Sequence, residues 1–319
     1  MIAPAFIDVL RARKVIAPHL SRTPLINYPA LGELTGARVF VKHENCQPIG
    51  VFKVRGGINL VSQLSPEERQ RGVIAASTGN HGQSVAYAAR VFGVAARVLV
   101  PENANPVKVA SMQNLGAEVV FYGPDFDAAR EHCEDLARRS NVRYIHSGNE
   151  PLLIAGVATA ALEIIEDLPE VDAIIVPVGG GSGAAGACIA AKAINPRIQV
   201  IGVQAEQAPA AYKSWRAKRL VEDKMETAAE GLATRSAFEL PQRILWEQLD
   251  DFILVSEDEI RSAISIFVDK AHTLAEGAGA ASLAGLIKLG DRLAGRTVAL
   301  VLSGGNITIE QLRAAITAY

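Results

Sequence analysis

The chain has 319 residues, of which 49% are apolar and only 5% aromatic, with 32 basic and 34 acidic side chains. At roughly 100–200 residues per domain, this length suggests two domains. The small net charge, with both signs mixed along the chain, indicates no nucleic-acid or anionic-lipid partner. No apolar run approaches the roughly 20 residues that span a bilayer, and Met1 to Arg13 lacks a secretory pattern. We therefore expect a cytoplasmic globular protein without a membrane partner.

The first half of the chain alternates short β-branched runs with Ala-rich stretches of helical length, and Gly or Pro lies at the joints. The predicted strands are 73–76, 97–100, 118–121 and 144–145, and the predicted helices are 83–92, 106–115 and 126–139.

The three cysteines, Cys46, Cys133 and Cys188, are too far apart in the sequence for a disulfide framework or a paired-cysteine zinc site.

The same alternation continues in the second half, and it predicts an α/β protein with two open, mostly parallel twisted sheets flanked by helices. Segment 213–239 is polar and weakly periodic, which predicts a long surface excursion of a kind that is often functional. The predicted strands are 173–178, 200–203, 252–255 and 298–302, and the predicted helices are 152–166, 184–194, 257–271 and 280–289.

A glycine-rich turn follows the strand that ends at Val178, where open parallel sheets bind ligands. Four glycines among the five residues from Gly179 to Gly183 let backbone amides form a concave nest for a phosphate. The plain alternative is a flexible turn. A second alternative is a nicotinamide dinucleotide site, because 181–186 matches G-x-G-x-x-G and Glu206 lies 20 residues further on.

Two further turns carry polar groups at strand ends. Segment 77–83, with hydroxyls, amides and glycines at a helix start, suits a carboxylate or a polar ring substituent, although an N-cap and a structural histidine would also explain it. Segment 302–306 offers the hydroxyl of Ser303 beside two glycines, and by itself it is an ordinary turn.

Lys53 lies directly behind Phe52 in the apolar, glycine-rich segment 50–57. Burial there would lower the pKa of its amine and make it a nucleophile for a carbonyl. An exposed surface lysine is the alternative interpretation.

Together these four segments resemble the fold-type II pyridoxal-phosphate enzymes, which are tryptophan synthase β-like, in their serine/threonine dehydratase and serine racemase branch. That branch carries G-S-F-K-x-R-G, S-x-G-N-H, tetraglycine and S-G-G-N blocks, which correspond to segments 50–56, 77–83, 179–183 and 303–306. The resemblance implies a Schiff-base role for Lys53, a place beside the cofactor ring for Phe52 and Glu276, and a contact from Ser303 to the pyridine nitrogen. It also implies a ring-hydroxyl contact from Asn80, a phosphate cradle of Gly179, Gly180, Gly181, Ser182 and Gly183, and a substrate-carboxylate site of Ser77, Thr78, Asn80 and His81.

The implied activity is dehydration of a β-hydroxy amino acid, such as L-threonine or L-serine, to a 2-oxo acid and ammonia. Racemisation of serine is one alternative, with Thr78 as the acid/base where racemases place Ser, and its stiff β-branched side chain favours dehydration. Another is dehydration of 3-hydroxyaspartate or an osmolyte-derived amino acid. A nicotinamide-dependent dehydrogenase and a non-catalytic sensor are further alternatives.

The chain departs from the family pattern at Val51 and at Ser182-Gly183, and both changes still permit a phosphate nest. It also departs in segments 155–159 and 229–231, which we expect to border the substrate or a cation site, so that side-chain specificity stays open. We also expect a homodimer with pyridoxal phosphate as its cofactor. A divalent cation is a further option, with Glu206, Glu226 and Glu230 as its candidate ligands. The alternative is that these three are solvated surface carboxylates. Residues 71–147 are predicted to form a small domain inserted into a large cofactor-binding domain of residues 1–70 and 148–319, with Lys53 in the cleft between them.

Overall fold

The computed structural model describes residues 1–317 of the chain and contains two separate β-sheets. All eight predicted strands are present within about two residues of the expected bounds, and a short antiparallel pair precedes them. The strands are β1 Leu25–Asn27, β2 Arg38–His43, β3 Val73–Ala76, β4 Ala96–Val100, β5 Glu118–Phe121, β6 Arg143–Tyr144, β7 Ala173–Pro177, β8 Gln199–Ala205, β9 Asp251–Val255 and β10 Thr297–Leu302.

The larger sheet has six strands in the order β1-β2-β10-β7-β8-β9, and the smaller has four in the order β5-β4-β3-β6. Every pairing is parallel except that of β1 with β2. The central strands β3 and β7 consist of apolar residues that are almost entirely buried, as expected where helices cover both faces of a parallel sheet. The predicted fold class is therefore confirmed.

Helices cover both sheets, and all seven predicted helices are present. Local signals define many helix ends; for example, Ser256 and Glu259 form a reciprocal capping box at the start of the helix that ends at Ala271. The helices are α1 Phe6–Ile16, α2 Pro29–Thr35, α3 Lys53–Ser62, α4 Pro66–Arg71, α5 Asn80–Phe92, α6 Pro106–Asn114, α7 Phe126–Ser140, α8 Pro151–Asp167, α9 Ser182–Ile194, α10 Ala210–Ala217, α11 Glu239–Gln248, α12 Glu257–Ala271, α13 Gly277–Leu289 and α14 Ile309–Thr317, with short 3₁₀ turns at Glu44–Cys46, Glu230–Leu232 and Gly290–Leu293.

Segment 213–239 is only partly the surface excursion that its polarity predicts. It contains the end of α10 and the 3₁₀ turn, and Ala229, Leu232 and Ala237 are buried. Because these apolar side chains are anchored in the cores around the larger sheet, the segment returns to the interior rather than staying in solvent.

Helix α3 lies between the two sheets. It packs against α5, which follows β3 of the smaller sheet, and against α8, which precedes β7 of the larger sheet. Its apolar residues Val54, Ile58 and Val61 share one buried cluster with Val73 and Val98 of the smaller sheet. Within residues 1–317, no helix is long and apolar enough to cross a membrane.

Candidate active site

Four of the predicted segments meet around two adjoining cavities between the sheets. The larger cavity, about 150 Å³, contains the turn after β3, and the smaller one, about 30 Å³, contains the glycine turn after β7 and Ser303 after β10. Five residues line both cavities, and they are Lys53, Asn80, Gly180, Gly231 and Glu276.

The glycine turn presents unpaired amides to the smaller cavity. In the described chain, the N–H groups from Gly179 to Gly183 donate no hydrogen bond to another residue, and the turn leads into the N-terminus of α9. Gly181 has φ +92°, a left-handed conformation that favours glycine. At Gly180, a Cβ would lie 2.1 Å from the ring of Phe238, so only glycine lets the chain pass there. The turn can therefore cradle an anion through backbone amides.

Lys53 is the first residue of α3, and its side chain lines both cavities. Its Nζ lies 5.2 Å from the centre of the Phe52 ring and forms no hydrogen bond within residues 1–317. Burial lowers the pKa of this amine to about 8, although the negative charge of Glu276 acts to raise it. The Lys53 carbonyl accepts a hydrogen bond of 2.7 Å from Ser84 of α5, which links the lysine to the helix that carries Asn80.

A chain of three polar side chains fixes the orientation of Asn80. Its Nδ2 donates to Glu276 Oε1 at 2.8 Å, and its Oδ1 accepts from Asn306 Nδ2 at 2.8 Å. Burial raises the pKa of Glu276 to about 7, although Lys108 and the Asn80 hydrogen bond oppose this shift. The amide nitrogen of Asn80 retains a second proton that it can donate into the cavity.

The turn after β3 is built around Ser77, whose buried Oγ accepts from the N–H groups of Gly79 and Gly82. The N–H groups of Thr78, Asn80 and His81 have no partner among the described residues, so they can bind a carboxylate. The imidazole of His81 does not contribute to carboxylate binding, because its Nε2–H donates to the Ile145 carbonyl at 3.0 Å.

Burial, followed by the nearby charge of Lys53, lowers the pKa of His81 to about 3. This histidine is consequently neutral at physiological pH. Any contribution of His81 to a carboxylate site comes from its backbone N–H rather than from a positive side chain.

Ser303 and Phe52 lie side by side at the smaller cavity. The Phe52 N–H donates to the Ser303 carbonyl at 3.0 Å, and the Ser303 hydroxyl forms no hydrogen bond in the part of the chain that the structure describes. Both residues also line a small apolar hollow with Val176 and Gly183. Every cofactor or substrate residue predicted from sequence lines at least one of these two cavities, although the individual roles remain predictions.

Sequence reasoning missed several residues of the larger cavity. Lys108 of α6 and Phe126 of α7 come from the smaller sheet's helices, while Thr234 and Phe238 come from the irregular segment before α11. Phe238 stacks edge-on against His146 with ring centres 4.8 Å apart. Only the unusual sequence Ala229-Glu230-Gly231 signalled that this segment belongs to the site.

The three carboxylates considered as cation ligands are each close to a lysine. Glu206 pairs with Lys288 at 3.1 Å, Glu226 lies 4.0 Å from Lys224, and Glu230 pairs with Lys108. Across residues 1–317, no group of three or more His, Cys, Asp or Glu side chains could hold a metal ion. A nicotinamide dinucleotide site would also require the carboxylate of Glu206, and this carboxylate is already paired with Lys288.

A family model described as "Pyridoxal-phosphate dependent enzyme" matches residues 16–304. The chain belongs to this family. This membership confirms the resemblance seen in the four motifs, and it does not support the nicotinamide-dependent alternative.

Proteins similar to this member of the pyridoxal-phosphate family include a threonine ammonia-lyase, a threonine deaminase and a serine racemase. The L-threonine ammonia-lyase of Thermotoga maritima is 40% identical over 307 residues, which cover 96% of this chain and 76% of the relative. The crystal structure of a threonine deaminase from T.th. has 37% identity and a TM-score of 0.91, covering 96% of this chain and 99% of that one. Serine racemase from Dictyostelium discoideum has 34% identity and a TM-score of 0.91, with the same coverages.

The two cavities fit the family's cofactor. A phosphate needs several donors without a competing partner, which the amides of the glycine turn supply. A buried amine without a hydrogen-bonding partner among the described residues, Lys53, lines the same cavity, and the Ser303 hydroxyl and the Asn80 amide supply polar groups around it. The remaining donors, in the turn after β3, face the larger cavity.

Proposed function

We propose that this protein is a pyridoxal-phosphate-dependent ammonia-lyase that converts a small β-hydroxy amino acid, such as L-threonine or L-serine, to a 2-oxo acid and ammonia. The observation that carries the proposal is the convergence of a buried lysine and two sets of unpaired amides on adjoining cavities. The names of the lyase relatives support this reaction class.

In the proposal, the amides of the glycine turn hold the cofactor phosphate, Asn80 donates to the ring hydroxyl, and the Ser303 hydroxyl meets the pyridine nitrogen. Bound pyridoxal phosphate supplies an electron sink for the electron pair left when a proton leaves the substrate Cα. A hydroxyl at the pyridine nitrogen does not enforce its protonation as a carboxylate would, which suits elimination, in which the departing β-hydroxyl relieves the negative charge.

The chain's own groups orient the substrate and move the proton. The free N–H groups of Thr78, Asn80 and His81 hold the substrate carboxylate at the N-terminus of α5, where the helix dipole favours an anion. Lys53 acts as the base for the α-proton, and its lowered pKa gives it a far larger neutral fraction near neutral pH than an ordinary lysine has. Phe126 and Phe238 narrow the larger cavity and limit the water that reaches the reacting atoms.

Thr78 distinguishes dehydration from racemisation in this proposal. Racemisation needs a second acid/base on the face opposite the lysine, and the Thr78 hydroxyl is the candidate for that place. Because Thr is β-branched and restricted at χ1, its hydroxyl has fewer accessible positions than that of Ser. We therefore expect pyruvate to form from L-serine faster than D-serine does; the reverse order would assign the protein to the racemases.

The first test compares Lys53→Ala with the exposed-lysine control Lys14→Ala. The Lys53 variant should lose both the visible absorbance of the lysine-bound cofactor and ammonia release, while the Lys14 variant retains both. Ammonia released by the wild-type protein from L-threonine or L-serine would exclude a non-catalytic sensor. Survival of absorbance or turnover in Lys53→Ala would overturn the proposed role.

A substrate screen completes the proposal. It includes 3-hydroxyaspartate and other β-hydroxy amino acids, and it is run with and without magnesium to test for an optional divalent cation. Sedimentation of the holoenzyme tests the proposed homodimer, which should have twice the 33.8 kDa chain mass.

A further inference from the structure

Lys108 is a second cation in the larger cavity that the proposed reaction does not use. It lies on α6, and its side chain crosses over the turn after β3, since a Cβ at Gly79 would be 3.5 Å from Lys108 Cδ and 3.8 Å from Nζ. The side chain is 14% exposed. Its amine forms an ion pair with Glu230, which belongs to the 3₁₀ turn on the opposite side of the cavity.

The proposed carboxylate site otherwise lacks a positive charge. Its donors are backbone N–H groups, and the imidazole of His81 is neutral and bonded to Ile145. Among the residues that line the larger cavity, the cations are Lys53 and Lys108. Since Lys53 must be unprotonated to accept the α-proton, Lys108 is the remaining counter-charge for the substrate carboxylate.

We propose that the substrate carboxylate displaces Glu230 from Lys108, so that Lys108 Nζ binds the carboxylate over Gly79 and Glu230 turns to solvent. This inference rests on the proposed function, because it uses the carboxylate site of that proposal. Glu230 is already 48% exposed, so its release to water requires little further exposure, and ion pairs with an exposed partner contribute little net stability. A carboxylate already held by amides therefore competes well for the amine.

The competing interpretation is a permanent latch, meaning an ion pair that only holds the two sides of the cleft together. Arg235 lies 3.6 Å from Asp127 of α7 and offers a second contact of that kind. A latch predicts that removing either partner of the Lys108–Glu230 pair weakens substrate binding. If the substrate carboxylate displaces Glu230, the two losses should have opposite effects on substrate binding. Loss of Lys108 should weaken binding, whereas loss of Glu230 should strengthen it because Lys108 is then free for the ligand.

The experiment measures binding of L-alanine and L-alaninamide to the holoenzyme by calorimetry, since both carry the amine, neither has a β-hydroxyl to eliminate, and only L-alanine has a carboxylate. We expect Lys108→Met to weaken L-alanine binding about tenfold, as for a lost hydrogen bond to a charged group. Glu230→Gln should strengthen it about threefold by removing the competitor. L-alaninamide binding should change in neither variant.

The double variant and a conservative variant complete the design. Lys108→Met/Glu230→Gln should bind L-alanine as weakly as Lys108→Met alone, and Lys108→Arg should recover most of the wild-type affinity. Unchanged or weaker L-alanine binding in Glu230→Gln would overturn the exchange. Because binding is measured without turnover, a wild-type protein that releases no ammonia would refute the dehydratase proposal while this test still gives an answer.

Discussion

At the scale of single residues, the site depends on two buried groups of opposite charge. Burial lowers the pKa of Lys53 to about 8 and raises that of Glu276 to about 7, and each charge favours the ionised form of the other. Both groups thus change charge within a narrow range around neutral pH, where an ordinary lysine and an ordinary glutamate would not.

This pair makes cofactor capture pH-dependent. Capture of pyridoxal phosphate by the apoenzyme requires neutral Lys53, so its rate should rise as pH increases through about 8 and then level off. With an unperturbed lysine, the capture rate would instead keep rising towards pH ~10.4. Stopped-flow absorbance across a pH series measures the midpoint.

Glu276→Gln tests the interaction between the two groups. The Glu276 carboxylate favours the ammonium form of Lys53, so the substitution should move the midpoint of cofactor capture to lower pH. Glu310→Gln, on the exposed first turn of α14, should leave the midpoint unchanged. A midpoint that stays in place or moves up in Glu276→Gln would contradict the assigned interaction.

At the scale of elements, a buried charge network anchors α3 behind Lys53. The Arg55 guanidinium, 1% exposed, donates to Glu44 and to Glu163 of α8 at 2.7–2.8 Å. Lys42 of β2 lies 2.7 Å from Glu163 and balances the charge. The network therefore joins β2, α3 and α8 and determines where the first residue of α3 points.

Removing the centre of this network should cost far more than breaking a surface pair. We expect Arg55→Met to lower the free energy of unfolding by about 3–5 kcal/mol, because Glu44 and Glu163 would remain buried without their partner. The control is Arg97→Met, which breaks an exposed pair with Glu118 and should cost about 0–1 kcal/mol. Urea unfolding measures both, and equal losses would show that Arg55 contributes no more to stability than a residue of an exposed ion pair.

The elements that sequence could predict are those with simple apolar patterns. Strands such as β3 and β7 are continuous apolar runs, whereas β2 contains Lys42 and His43, which are buried polar residues that a strand pattern does not predict. The candidate site was predictable where a ligand needs glycines or a turn at a strand end. Lys108 and Phe238 could not be predicted because only the folded chain brings α6 and the segment before α11 to the same cavity.

At the scale of the whole molecule, α3 and α8 connect the cores of the two sheets. Ile154 and Ala158 of α8 pack in a core of the larger sheet, while Leu153 and Ala155 of the same helix belong to the cluster of α3 and the smaller sheet. The division into an inserted domain of residues 71–147 and the remainder stays a prediction. This shared packing leads us to expect that the two parts unfold together.

Ile58→Ala tests that coupling. Ile58 of α3 is fully buried in the cluster with the smaller sheet, so its truncation should cost about 2–5 kcal/mol through lost burial and the cavity left behind. If the sheets unfold as one unit, hydrogen exchange should lose equal protection in β3–β4 and in β7–β8. Loss confined to β3–β4 would show two independent units, and Ile287→Ala, at a position 38% exposed on α13, controls for truncation itself.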